Sequence, residues 1–225
     1  MDNQKLKQIN QTIEQAKLLD VATGALASHL DQRLTSLHQT IQLPQGHEVD
    51  ALKGFITRYI DRVPVFMEAI ENIAHEAGID RYANVCLDVA ADYFLSPPDV
   101  LEHQSGLEAL MDEAYLAHRL FEEVNDRFIG YCGIPLAPMD MTRANILMHS
   151  IIGESFANEL DEAVHFSVEL LAIKNNDFQS RKFRDFVSQH RNRGWSEELA
   201  KWPCLTEELD IDFDFSSQTV VSNLH

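Results

Sequence analysis

Apolar positions recur every three or four residues along almost the whole chain from Leu6 to Ile173, which is the period of an α-helix. Leu6, Ile9, Ile13 and Ala16, and later Ala27, Leu30, Leu34, Leu37 and Ile41, keep a heptad-like spacing. Between the two runs the phase falters, because Asp20 and Thr23 take seam positions and Gly24 weakens the helix. This predicts one long helix or two helices folded about Gly24. Its apolar face serves either internal packing or the seam of a homodimer.

Pro44 and Gly46 in LPQGHE (43–48) mark a connector. A wide apolar stripe follows from Val49 to Ile73, with Pro64 inside it, which predicts a kink or a helix restart near Val63. Gly78 closes that element. Ile79 to Leu95 reads as a helix stopped by SPPD (96–99). Leu107 to Ile129 is the clearest amphipathic helix, with Leu110, Ala114, Ala117, Phe121, Val124 and Phe128 as its buried ridge and Gly130 as its end. The loop GYCGIPLAP (130–138) leads to a long helix from Met139 to Lys174, capped by Asp140 or Thr142. That helix is apolar nearly all round from Ile146 to Ile152, which places it centrally. No strand-like alternation occurs before residue 205. Then Ile211, Phe213 and Phe215 alternate with Asp210, Asp212 and Asp214, the mark of a short strand or an extended docking segment. The expected fold is an all-α bundle of about six or seven helices over residues 1–193, followed by an acidic tail, 194–225.

Charge changes this picture in two ways. The chain carries 36 acids against 18 bases, a net charge of -18, which disfavours nucleic acid and anionic membrane surfaces. The charge is also segregated. Residues 174–193 hold six bases against two acids, a net of +4, whereas 194–225 hold seven acids against Lys201, a net of -6. The tail either folds back over the basic segment or meets a separate partner. Cys86, Cys132 and Cys204 form no C-x-x-C pair, with Cys86 on an apolar face and Cys132 in a loop as the exposed thiol. No apolar signal core and no run of about 18 apolar residues occurs, so the expected location is the cytoplasm, with no membrane span.

Polar residues that interrupt the apolar stripes are the candidate chemistry. Glu154, Asn158, Asp161 and His165 fall on one stripe of the Met139–Lys174 helix, and Glu162-Ala-Val-His165 is an E-x-x-H pair. Residues three or four apart share a face and can grip one ion. Glu68 and His75 lie two turns apart on an earlier helix. His118 and Glu122 lie one turn apart on the Leu107–Ile129 helix, with Glu113 at the ridge's far edge. A metal site would draw on Glu68, His75, Glu113, His118, Glu122, Glu154, Glu162 and His165, and such ligands suit iron or manganese. The second E-x-x-H of a ferritin-like di-iron site is missing. The scatter of carboxylates and histidines over three helices is similar to haem-oxygenase-like di-iron oxygenases. Their late helix offers His-x3-Asp-x2-His, where this chain reads Asn158, Glu162 and His165. That resemblance implies an oxidative metal-dependent enzyme.

The bland alternative is solvated carboxylates and hydrogen-bonded core histidines, His149 among them. Glu154 is then a partly buried carboxylate paired with Arg119, Arg127 or Arg143. No nucleophile elbow and no phosphate-binding glycine loop is present. The sequence therefore favours a non-enzymatic protein with a regulatory or protein-interaction role. It expects no cofactor and a protein partner or homodimer, met through the acidic tail or the first helix. The metal-dependent oxidative enzyme is the alternative.

Overall fold

A computed structural model describes residues 3–97, 106–137, 141–171, 176–193 and 204–214. Among them the chain is an all-α bundle of eight helices: α1 (Asn3–Thr23), α2 (Ala25–Arg33), α3 (Glu48–Ala77), α4 (Asp80–Leu95), α5 (Leu107–Cys132), α6 (Thr142–Ile152), α7 (Glu154–Leu171) and α8 (Arg181–Arg193). Two-residue strands β1 (Ile41–Gln42) and β2 (Asp212–Phe213) pair antiparallel, Ile41 opposite Phe213. The expected helix ends at Met139 and Lys174, the cap Asp140, the Phe215 of the alternating segment and the rest of the tail lie outside the described residues.

The helix breaks fall where glycine frees the backbone. At Gly24 (φ +66) the chain turns from α1 into α2. The seam residue Asp20, which looked like a fault in the heptads, builds this corner. It is buried, accepts the Leu26 N–H at 2.9 Å and pairs with Lys53 at 2.7 Å. α1 lies on α3, α4 and α5 of its own chain and buries Ile9, Ile13 and Ala16 there. After the corner Leu26 and Leu30 are buried, and beyond Arg33 the heptad gives way to a short 3-10 turn and β1.

Two further expectations are corrected, and of the kink or restart expected near Val63 the restart is excluded. The long helix expected from Met139 is divided at Gly153, whose φ of +105 admits glycine alone in practice. The Arg33 guanidinium fills the notch, its Nε donating to the Ile151 carbonyl at 2.9 Å, and a Cβ on Gly153 would stand 2.5 Å from Arg33 Nη2. Helix α5 runs through Gly130 and stops at Cys132, because the left-handed position belongs to Gly133 (φ +75). Helix α3 does not restart at Pro64. It is one element of 30 residues. The lost hydrogen bond and ring crowding cost about 3 kcal/mol. Burial of Tyr59, Val63, Phe66, Met67 and Ile70 around it, at roughly 1.5–3 kcal/mol each, outweighs that.

The described part of the tail, residues 204–214, folds back onto α3 and α6. Leu205, Thr206 and Ile211 are buried, Glu208 meets Arg58 and Arg62 of α3 (3.3 and 3.4 Å), and Glu207 meets Arg143 of α6 (2.9 Å). Among the described residues no helix is long and apolar enough to cross a membrane.

Candidate functional site

Helix α5 lays Tyr115, Arg119 and Glu122 along one stripe, and α6 lays Thr142, Asn145, Ile146 and His149 along another. With Asp161 of α7 they line an open cleft of about 360 Å³. Asn145 and Tyr115 are buried, Ile146 is exposed at the rim, and the rest are intermediate or exposed.

The polar groups are bonded to one another. The Arg119 Nε donates to Asp161 at 2.8 Å, and its Nη1 donates to Glu122. Glu122 also accepts from the Asn145 amide (2.7 Å) and the Thr142 hydroxyl (3.0 Å), so that Thr142 joins the cleft instead of capping its helix. Asn145 in turn accepts the buried Tyr59 hydroxyl at 2.6 Å. On the other side the Tyr115 hydroxyl donates to Asp161 at 3.1 Å and lies 2.9 Å from His149 Nδ1. With the phenol O–H directed at Asp161, the imidazole Nδ1–H donates to the phenol oxygen, and Asp161 stands 3.6 Å from that same nitrogen.

Two charge states in this wall are fixed. Burial, with the Asp161 carboxylate behind it, pushes the Tyr115 phenol far above its ordinary range. For Arg119 burial works against the charge, but the bond to Asp161 and the two carboxylates outweigh it and hold the guanidinium ionised. The cleft is therefore a preset array of donors and acceptors around a locked cation.

The eight candidate ligands are not gathered. Among the described residues no group of three or more His, Cys, Asp or Glu side chains could hold a metal ion. Glu154, Glu162 and His165 are exposed, as is Asn158, because α7 turns Ala157, Leu160, Val164 and Val168 inward. The polar stripe sits one residue round from that face. Glu154 accordingly takes no salt bridge from Arg119, Arg127 or Arg143, whose carboxylate partners are Asp161 and Glu122, Glu123 and Glu169, and Glu207. Glu68 and His75 are exposed on α3, with His75 Nδ1 bonded to Asp80 at 2.9 Å. Glu122 belongs to the cleft.

Glu113 and His118 are buried at 7% and 0% exposure, five residues and about 140° apart on α5. His118 packs against Tyr59 and Phe66 and donates Nε2–H to the Tyr59 carbonyl at 2.8 Å. Burial drives its pKa down to about 3, and burial, then Asp112, drives Glu113 up to about 8. Both are neutral core groups near pH 7. His118 Nδ1 and Glu113 Oε2 have no hydrogen-bond partner among the described residues.

Cysteine exposure is also reversed in part. Cys86 is buried as expected, but Cys132 is buried too, its thiol donating to the Phe128 carbonyl at 3.0 Å, and Cys204 is the more open one. The sequence reading passed over Tyr115, Arg119 and Asn145 as a site. The available signal was Asn145 interrupting the apolar run of α6, one turn before His149.

The chain matches no protein-family model, and searches of curated proteins and of solved structures find no match.

Proposed function

We propose that this chain is a non-enzymatic, cytoplasmic interaction protein with a regulatory role, and that a protein partner docks at the α5–α6–α7 cleft. The observation that carries this reading is the bonded wall of Tyr115, Arg119, Glu122, Asn145, His149 and Asp161, set in a cleft of about 360 Å³. Such a cleft accepts one inserted polar side chain and its neighbours. Tyr115 and Arg119 are residue types that anchor interfaces, and the exposed Ile146 adds apolar contact area beside them.

Part of each segment first expected to meet a partner is used inside the fold. Ile9 and Ile13 of α1 and Leu205 and Ile211 of the tail are core residues. Recognition suits the cleft better than proton transfer does, because Tyr115 and Arg119 keep their charge states through the neutral range. The three cysteines are unpaired, in keeping with a reducing compartment.

A photo-crosslinking residue at Ile146, compared with one at the exposed Val85 of α4, tests this in cells. The expected result is one discrete protein adduct from position 146 and none from 85. Equal labelling at both, or none at 146, overturns the proposal.

A further inference from the structure

The basic segment contains a second concave feature, remote in composition from the cleft. Phe178, Phe183, Val187 and Ser188, with Arg184 and Arg191, line an open groove of about 300 Å³ beside Cys132. Its floor is built from aromatic rings. Phe178 and Phe183 stand 5.2 Å apart, and Phe128 approaches them at 6.0 and 5.8 Å. Arg184, Val187, Ser188 and Arg191 follow one another at helical spacing along α8, so the two guanidiniums flank the same apolar strip.

Among the described residues those guanidiniums differ from most bases. Arg184 Nη1 donates to the Gln179 carbonyl at 2.9 Å, and Arg191 Nη2 donates to the Cys132 carbonyl at 2.5 Å. Both acceptors are uncharged. Among the described residues no carboxylate pairs with either arginine. An apolar strip bounded by two cations that meet only neutral carbonyls among the described residues is the complement of a molecule with an apolar body and an anionic head.

We infer that the α8 groove binds a small organic anion, its carboxylate held by Arg184 and its apolar body lying on Phe178, Phe183 and Val187. This site is independent of the cleft and of the protein-partner reading.

The test is calorimetric titration of the full chain with octanoate, beside octanol and octyltrimethylammonium. The expected result is saturable one-to-one binding of octanoate, at least tenfold weaker for both other ligands and weakened by added salt. Arg191→Gln also removes the bond to the Cys132 carbonyl and can disturb the end of α5. Arg184→Gln is therefore the deciding variant. It should melt like the parent and bind octanoate at least fivefold more weakly. Equal binding of octanol would show an apolar groove without anion recognition and overturn the proposal. So would unchanged affinity in Arg184→Gln, or no saturation below millimolar octanoate. Co-sedimentation with phosphatidylglycerol vesicles in the absence of saturable octanoate binding would make α8 a membrane-surface element instead, and equally overturn it.

Discussion

Arg119 in the cleft and Arg184 on α8 are the same side chain put to opposite uses. Arg119 is three-quarters covered and lies between Asp161 and Glu122, so its charge is spent inside the fold. Arg184 is exposed and bonds a neutral carbonyl, so its charge projects outward. The first makes a shape by tying α5 to α7. The second makes a potential. A formal count of bases does not separate the two, because what matters is whether a carboxylate from another helix reaches the guanidinium.

The sharpest way to break this comparison is to remove each charge in turn. Arg119→Met leaves Asp161 and Glu122 without their cation in a partly buried site, and should cost about 3 kcal/mol in urea unfolding. Arg184→Met should stay within about 0.5 kcal/mol, as other exposed substitutions do. Similar losses in the two variants would erase the distinction.

Glu113 sharpens it from the other side, as a buried carboxyl with no cation among the described residues. Its folded pKa of about 8 means that, above the ordinary carboxyl range and up to pH 8, the folded chain holds a proton that the unfolded chain has released. Stability therefore falls as pH rises through that window. His118 acts in the opposite sense. Its pKa of about 3 lets the unfolded ring protonate below about 6.5 while the folded ring stays neutral, so stability falls as pH drops from 6.5 to 3. The two slopes oppose each other at mildly acid pH, leaving Glu113 alone from pH 6.5 to 8. The parent should lose about 2 kcal/mol across that interval, and Glu113→Gln should be flat there. A parent whose stability does not change from pH 6.5 to 8 would refute the buried-carboxyl account.

The smallest effect belongs to the exposed pairs of the tail. Arg58→Gln with Arg62→Gln removes both partners of Glu208, and should cost no more than about 1 kcal/mol, less in high salt. A larger loss would mean that the ion pairs, and not the burial of Leu205 and Ile211, hold the tail down.

Local periodicity made α3, α4 and α5 legible, because each has a one-sided stripe whose phase needs only its own residues. The ridge Leu110–Phe128 is buried as read. What the sequence hid depends on distant partners. The break at Gly153 is held by Arg33, 118 positions from the carbonyl it bonds. The cleft needs Asp161 to reach Arg119 from another helix, and spacing within one helix carries no trace of that. The metal candidates show the converse fault. Glu154, Asn158, Asp161 and His165 share a stripe, but sharing a stripe does not say which way it faces, and the apolar face of α7 turned most of it to solvent.

The β1–β2 pair is only two residues on each side, yet it ties Ile41 to Phe213, with Asp214 N–H donating to the Thr40 carbonyl at 2.8 Å. Such a clasp closes a ring through most of the chain, at a loop-closure entropy that grows only logarithmically with length. Once α3 and α6 are in place they hold the clasp's docking arginines ready, so it can shut last and open first. In hydrogen-exchange terms the Ile211 and Asp214 amides, bonded to Thr206 and Thr40, would form an opening unit of lower protection than α5. The same protection at both sites would make the clasp part of the global unfolding unit.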